Sequence, residues 1–287
     1  MSPPLETFHP LIARWFTGRL GEPTEVQKRS WPSIAAGRHV LVSAPTGTGK
    51  TLAAFLWGID QIYRELAARE GEAGVRLLYI SPLKALNNDV ERNLRLPLAG
   101  IRRAAEERGE VLPHLDVLVR TGDTPQAARQ RMAKHPPHIL ITTPESLYLI
   151  LTSPVARGMF GTLRTVIVDE IHTLVSNKRG VHLAVSLERL LELTGGPVQR
   201  IGLSATQRPL DEVARFLGGY DLAREDPPAG AVLSPRPVTI VDAGMVKPMD
   251  LKVVTAVANF DQLPGGSIWP AAIPRVLGLV EAHRTPL

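Results

Sequence analysis

The sequence predicts an α/β fold in which a parallel β-sheet is covered by helices on both faces. Short apolar runs rich in Val, Ile and Leu alternate along the chain with longer segments of helical periodicity. Chains built from βαβ units show this alternation, and their buried parallel strands are apolar throughout. The 287 residues, 44% of them hydrophobic, are also enough to bury a large core.

Composition narrows the class of protein. The chain has 33 Lys and Arg against 28 Asp and Glu, and this mild basic excess suits a nucleic-acid partner as well as an ordinary soluble protein. Cysteine is absent, which excludes disulfides and thiolate metal sites. The first residues lack the pattern of a signal peptide, and no apolar run approaches the roughly 20 residues of a membrane span. We expect a cytoplasmic protein without a membrane partner.

The elements follow from these patterns. Two helices are predicted before the first strand, and helical segments separate most of the later strands. The predicted strands are His39–Ser43, Leu77–Ser81, Val117–Arg120, Ile139–Thr142, Thr165–Asp169 and Arg200–Leu203. The predicted helices are Leu11–Leu20, Glu25–Ala36, Thr51–Arg69, Lys84–Arg108, Pro125–Lys134 and Val181–Leu193.

The pattern changes after about Gly219. The next segment is rich in Pro, Gly and Ala, which is typical of a linker. Beyond it, Val238–Val241 and Leu251–Val257 are predicted strands, and Ile268–His283 is a predicted helix with Pro270 in its first turn. The predicted organisation is a first domain at 1–220, a linker at 221–237 and the truncated start of a second domain at 238–287.

A glycine-rich segment between the first predicted strand and the next helix has the composition of a phosphate-binding loop. Gly47 and Gly49 let the backbone N–H groups approach triphosphate oxygens, and the helix N-terminus adds partial positive charge. We expect Lys50 to reach the β and γ phosphates of ATP and Thr51 to bind Mg²⁺ through its hydroxyl. The first position of the pattern, usually Gly, is Ala44. The predicted nucleotide-binding residues of this loop are Thr46, Gly47, Thr48, Gly49, Lys50 and Thr51.

Two carboxylates, Asp169 and Glu170, stand at the end of the buried strand predicted at Thr165–Asp169. An acidic strand end is common by itself, but downstream of a phosphate-binding loop it indicates an ATPase. A P-loop ATPase needs one acid for Mg²⁺ and a polar residue that orients the attacking water. We assign Asp169 to Mg²⁺ and Glu170 to the water, and with Lys50 they are the predicted catalytic residues. Ser204 and Thr206 end the next strand, at the sheet edge where ligands bind.

Seven short motifs follow one another along the chain between Pro23 and Arg208. They are Pro23–Gln27, Ala44–Thr51, Ser81–Leu86, Arg120–Thr124, Thr143–Leu147, Asp169–His172 and Ser204–Arg208. This set resembles the superfamily-two helicases of the DEAD/DEAH-box type. The residues of the motifs Arg120–Thr124, Thr143–Leu147 and Asp169–His172 resemble in particular those of the Lhr (large helicase-related) group. The resemblance implies the N-terminal RecA-like lobe of an ATP-dependent helicase, with ATP and Mg²⁺ as cofactors.

The resemblance implies that Gln27 reads the adenine edge. Thr24 and Gln27 also have the spacing of a capping box, with Thr24 as the helix N-cap, and both interpretations can hold together. Trp15 or Phe16 would stack on adenine or pack in the core, and the sequence leaves both open.

The resemblance also implies a nucleic-acid track formed by Pro82, Lys84, Gly122, Thr143 and Glu145. Such loops contact phosphates without reading bases, so binding would be salt-sensitive and weakly sequence-dependent. The implied partner is single-stranded or tailed DNA, with RNA possible.

The remaining implications concern coupling and charge. His172, Ser204 and Thr206 are expected to couple the nucleotide site to the track. The arginine-rich stretch 92–131 either adds positive potential to the track or is a solvated helical face.

A complete helicase of this type has a second RecA-like lobe that supplies arginines to the γ-phosphate, and this lobe is expected to be missing here. The sequence therefore predicts ATP binding with little hydrolysis and no unwinding by this chain alone. Two other functions remain open, a nucleotide-controlled nucleic-acid-binding module without motor activity and a P-loop kinase, although the motifs after Ser204 argue against the kinase.

Overall fold

The computed structural model describes residues 5–68, 73–82, 84–205, 208–223, 232–244, 255, 257 and 266–281. The chain divides into two compact units, Met1–Met245 and Val246–Leu287. Within the described residues, no helix is long and apolar enough to cross a membrane.

The first unit is built on a parallel sheet of seven strands in the order β3-β4-β2-β5-β6-β1-β9. All six strand pairs are parallel, and the three strands β2, β4 and β5 are buried at every residue. Parallel strands buried on both faces are the ones that the apolar runs predicted. The strands are β1 (His39–Ser43), β2 (Leu77–Ile80), β3 (Val117–Arg120), β4 (Ile139–Thr142), β5 (Thr165–Val168), β6 (Gln199–Ser204) and β9 (Val238–Asp242).

Helices cover both faces of the sheet, and one large apolar cluster lies on each side. The predicted α/β fold with a parallel sheet is therefore confirmed. Two short helices of the first unit, α6 (Pro144–Thr152) and α8 (Leu210–Gly218), were not predicted; α6 begins within a motif and α8 begins two residues after one. The helices of the first unit are α1 (Pro10–Leu20), α2 (Glu25–Ala35), α3 (Lys50–Ala67), α4 (Lys84–Glu106), α5 (Gln126–Lys134), α6 (Pro144–Thr152), α7 (Lys178–Thr194) and α8 (Leu210–Gly218).

The sheet order brings the predicted motifs to one edge. β5, β6 and β1 are neighbours and run in the same direction, so the segments after them meet at their carboxyl ends. The phosphate-binding loop follows β1, the acidic pair follows β5, and Ser204 ends β6. In open α/β sheets, ligands bind at this edge.

The boundary predicted near residue 238 is wrong for the strand that begins there. β9 pairs along its whole length with β1, in register from His39 opposite Val238 to Ser43 opposite Asp242. Ala243 continues the pairing by donating its N–H to the Ser43 carbonyl at 2.9 Å. The residues around Val238 do not indicate that one edge of β1 is open for pairing. The sequence therefore could not assign β9 to this sheet, and only the fold shows its pairing with β1.

The predicted linker also contains regular structure. Its ends form an antiparallel hairpin of β7 (Tyr220–Ala223) and β8 (Val232–Pro235). Arg236 lies after β8 and forms ion pairs with Asp221 at 2.6 Å and with Glu188 of α7 at 2.8 Å. These ion pairs anchor Arg236, near the end of the predicted linker, to α7 and to β7.

The second unit holds α9 (Trp269–Glu281), which matches the helix predicted from residue 268. The predicted strand Leu251–Val257 lies outside the described residues apart from positions 255 and 257. That these residues begin a second lobe stays a prediction.

Candidate nucleotide site and nucleic-acid face

The phosphate-binding loop has the backbone geometry that its sequence predicts. Gly47 and Gly49 have φ of 77° and 87°, which side-chain-bearing residues rarely adopt. A Cβ on Gly49 would also lie 2.8 Å from Gln27 Nε2. α3 begins at Lys50 without a side-chain cap, so its first N–H groups stay available to an anion.

The lysine of the loop is held inside it. Lys50 is buried, and its Nζ donates to the Ala44 carbonyl at 3.2 Å. The Thr48 hydroxyl donates to the Pro45 carbonyl at 2.8 Å and shapes the same turn. Among the described residues, Lys50 Nζ donates to the Ala44 carbonyl, and a phosphate oxygen can replace this acceptor.

The acidic pair is constrained by its own backbone. Glu170 has φ of 45°, the only left-handed non-glycine residue in the described chain, and this turns the backbone sharply after β5. The Glu170 N–H donates to Asp169 Oδ1 at 2.9 Å, and the Tyr79 hydroxyl donates to Asp169 Oδ2. Burial raises the pKa of Asp169, while the Tyr79 bond and nearby Lys50 oppose that rise.

One cavity of about 470 Å³ joins the loop to the acidic pair, a volume within the usual range for small-molecule sites. The donor set suits ATP with Mg²⁺, because a hydroxyl and a carboxylate are the oxygen ligands Mg²⁺ takes alongside phosphate and water. The cavity is lined by Thr46, Gly47, Gly49, Lys50, Thr51, Leu52, Phe55, Val90, Leu94, Pro97, Asp169 and Glu170.

Gln27 forms the capping box that its spacing allows. Its backbone N–H donates to Thr24 Oγ1 at 3.4 Å, and its Oε1 accepts from the Thr24 N–H at 2.9 Å. The same two residues also reach the loop, since Thr24 Oγ1 donates to the Thr48 carbonyl and Gln27 Nε2 to the Gly49 carbonyl. Gln27 is therefore placed beside the nucleotide loop, and its contact with adenine stays a prediction.

The two aromatic candidates for adenine stacking differ in burial. Phe16 is buried and packs edge-on against Trp31, with ring centroids 5.4 Å apart, which is core packing. Trp15 is only half-buried and lines a cleft between α1 and α4.

His172 links the acidic pair to the loop after β6. Its Nε2 lies 3.5 Å from Glu170 Oε2, and its Nδ1 accepts from the Ala205 N–H at 3.3 Å. Ser204 is buried, and its hydroxyl donates to the Ala205 carbonyl at 2.8 Å. Thr206 lies outside the described residues. Contacts therefore run from Glu170 through His172 to the end of β6, and the coupling role of these residues stays a prediction.

An arginine that the sequence analysis did not single out connects two predicted track residues. Arg179 donates from Nε to Glu145 at 2.6 Å and from Nη2 to the Pro82 carbonyl at 2.9 Å. Burial opposes ionisation of Glu145, but hydrogen bonds led by the one from Arg179 hold its pKa below the ordinary value. Thr143 is the N-cap of α6, and Lys84 begins α4.

A second missed feature is a buried cation next to the predicted track residue Gly122. Arg120, at the end of β3, is 8% exposed, and its Nη1 has no hydrogen-bond acceptor among the described residues. Arg129 Nη2 donates to the Gly122 carbonyl at 2.7 Å, while its Nε also lacks a described acceptor. Burial, followed by the neighbouring charge of Arg129, lowers the pKa of Arg120. Arg120 stands within the fourth motif, and only the fold shows that no described residue accepts a hydrogen bond from its Nη1.

The fold and the site are those of a P-loop nucleotide-binding domain. An acidic pair lines the same cavity as the loop, and His172 contacts both Glu170 and the loop after β6. The DEAD/DEAH box helicase family model matches residues 24–213, more than half of the chain. The chain belongs to the DEAD/DEAH box helicase family.

Relatives agree with the group predicted from the motifs. The chain is 50% identical, over 99% of its length, to the Lhr helicase/probable uracil glycosylase of Mycolicibacterium smegmatis and covers 18% of that protein. It is 47% identical, over 97% of its length, to the ATP-dependent helicase Lhr-Core of Methanothermobacter thermautotrophicus and covers 31% of it. The chain thus spans 18% to 31% of the length of these curated relatives, and the predicted resemblance to the Lhr group is confirmed.

Solved structures give the same result. A structure of Mycobacterium smegmatis helicase Lhr bound to ssDNA and AMP-PNP matches with a TM-score of 0.78 and 49% identity, covering 98% of this chain and 34% of that one. The DEAD-box helicase Mss116 matches with a TM-score of 0.64 at 17% identity, which shows a shared RecA-like fold. The predicted RecA-like architecture is confirmed for the first unit.

Proposed function

We propose that this chain is the ATP-hydrolysing lobe of a motor that moves along single-stranded nucleic acid, with DNA as the preferred polymer. The observation that carries the proposal is the cavity in which the P-loop and the acidic pair face each other. His172 contacts both Glu170 and the loop after β6, so a change in the nucleotide site has a physical route to the rest of the carboxyl edge.

In this proposal each residue of the cavity has one task. Thr51 and Asp169 would hold Mg²⁺, whose charge stabilises the transferring phosphoryl group. Lys50 exchanges the Ala44 carbonyl for phosphate oxygens. Glu170 accepts a hydrogen bond from the attacking water and aligns it. A second lobe, expected from the resemblance, would supply arginines that raise the rate by about 10³–10⁵.

The preference for DNA is supported by the similarity to an Lhr helicase solved with ssDNA. The nucleic-acid face is also consistent with phosphate contacts, because its loops contain small residues and hydroxyls and Arg120 lies beside them at the end of β3. Strand separation would belong to the full-length protein, of which this chain supplies the nucleotide site.

ATP turnover with and without single-stranded DNA or RNA tests the proposal, with Glu170→Gln as the blank. Turnover that DNA stimulates, and that the blank lacks, supports a coupled motor lobe. Because a second lobe is expected to supply arginines to the γ-phosphate, low turnover by this chain alone agrees with the proposal. The alternative, a binding module without motor activity, is favoured if turnover also stays equal to the blank in a chain extended by a second RecA-like lobe. Stimulation by RNA alone would contradict the preference for DNA.

Arg120→Gln is expected to weaken single-strand binding at low salt. If Arg120 neutralises one phosphate, the slope of log affinity against log salt should fall in magnitude by about 0.7–1. The measurement is a fluorescence-anisotropy titration of labelled oligonucleotide at several salt concentrations.

The matched control for this variant is Arg103→Gln, which removes an exposed arginine of α4. Its salt slope should equal that of the parent chain. An unchanged slope in Arg120→Gln would show that the buried guanidinium does not contact the strand.

A further inference from the structure

Tyr79 joins the centre of the sheet to the nucleotide cavity, although no motif points to it. It lies on β2, is fully buried, and its ring stacks on Phe55 with centroids 4.8 Å apart and an interplanar angle of 22°. Phe55 belongs to α3 and lines the cavity. The Tyr79 hydroxyl donates a hydrogen bond to Asp169 Oδ2.

The Asp169 carboxylate is thereby held from two sides. Its Oδ1 accepts from the Glu170 N–H at 2.9 Å, and its Oδ2 accepts from Tyr79. The backbone beneath is equally constrained, because the Asp169 N–H donates to the Ile80 carbonyl at 2.9 Å. Two donors on two different oxygens leave the carboxylate little freedom to rotate.

We propose that Tyr79 is a positioning residue that orients the Asp169 carboxylate for Mg²⁺. This inference rests on the proposed function of the cavity. Mg²⁺ accepts only a near-octahedral arrangement of oxygens, so the angle of a carboxylate ligand matters. A donor behind a metal ligand fixes its orientation, and losing such a donor typically costs 10–100-fold in metal affinity.

The charges of the pair are consistent with this arrangement. Burial, then the neighbouring Asp169, raises the pKa of Tyr79 well above its ordinary value, so the phenol stays a hydrogen-bond donor. A buried carboxylate without this donor would be costlier to keep ionised, because burial already raises the pKa of Asp169. Phe55 supports the ring from the cavity side, and Phe at position 79 would keep the stacking while removing only the hydroxyl.

The test compares Tyr79→Phe with Tyr63→Phe. Tyr63 is a buried tyrosine of α3 in the same apolar cluster, where it lies near Arg102. Affinity for a fluorescent ATP analogue is measured in EDTA and across a Mg²⁺ titration, with the melting temperature of each variant as a check on folding. Tyr79→Phe should raise the Mg²⁺ midpoint about 10-fold or more and leave the affinity in EDTA unchanged. Tyr63→Phe should change neither.

A double-mutant cycle shows whether Tyr79 acts through the carboxylate. In an Asp169→Asn background, Tyr79→Phe should cause no further shift of the Mg²⁺ midpoint. An unchanged midpoint in Tyr79→Phe alone, or an equal shift in Tyr63→Phe, would overturn the inference. A parent chain whose nucleotide affinity is the same in Mg²⁺ and EDTA would instead overturn the proposed function itself.

A second measurement needs no variant of Tyr79. The chain has four tyrosines, so ring-labelled tyrosine gives a small set of NMR signals. Asp169→Asn should shift one phenol signal strongly, and Mg²⁺ with nucleotide should shift the same signal in the parent chain. Four unmoved signals in Asp169→Asn would refute the Tyr79–Asp169 link.

Discussion

Lys50→Ala should weaken ATP binding about 10- to 100-fold, while Glu170→Gln should leave binding nearly unchanged. The first variant removes a charged donor to phosphate, an interaction worth about 1.5–3 kcal/mol, and each 1.4 kcal/mol is tenfold in affinity. The second keeps the size and hydrogen bonding of a residue assigned to the water rather than to the nucleotide. Isothermal titration with ATP and Mg²⁺ measures both affinities.

The control for Lys50→Ala is Lys134→Ala, which removes an exposed lysine at the end of α5. Its ATP affinity should equal that of the parent chain. Because Lys50 also donates to the Ala44 carbonyl, the melting temperature of the variant without nucleotide must be compared as well. Equal loss of binding in Lys50→Ala and Glu170→Gln would contradict the assigned tasks.

Arg200→Met should destabilise the chain by roughly 3 kcal/mol, the largest effect expected outside the nucleotide site. Arg200 is 1% exposed on β6, and its Nη1 donates to the carbonyls of Leu217 and Gly218 at 3.1 and 2.9 Å. Its Nη2 donates to the Leu187 carbonyl at 3.3 Å. Met fills a similar space but removes three hydrogen bonds from a buried guanidinium to carbonyls, each worth about 1 kcal/mol or more, and only the Gly218 carbonyl keeps a second side-chain donor, Arg236.

Arg200 also forms an ion pair with Glu188, and Glu188 forms a second ion pair with Arg236, which follows β8. The variant should therefore loosen the β7–β8 hairpin as well as lower the free energy of unfolding, measured by urea titration. Arg215→Met is the control, because Arg215 is an exposed partner of Glu212 on α8 and such pairs contribute little. A stability of Arg200→Met within 0.5 kcal/mol of the control, about the scatter of surface substitutions, would show that water replaces the lost donor.

Local sequence predicted strands β1 to β6, most of the helices and the loop and acidic residues that line the cavity. Apolar runs of four to six residues predicted the parallel strands β1 to β6, and β2, β4 and β5 are buried along their whole length because both of their faces are covered. The capping box of Thr24 and Gln27 and the left-handed glycines of the loop also follow from residue type and spacing. The positions of Lys50, Asp169 and Glu170 around one cavity follow from the rule that carboxyl ends of parallel strands meet.

Tertiary structure alone decided which distant groups are partners. Tyr79 and Asp169 are 90 positions apart, and Arg179 lies 97 positions from the Pro82 carbonyl that it contacts. β9 joins the sheet because β1 offers an open edge, and the free donor of Arg120 exists because no described acceptor folds against it. Periodicity and motifs act over a few residues, whereas these pairings depend on strand order and on which side chains the closed core leaves without a partner.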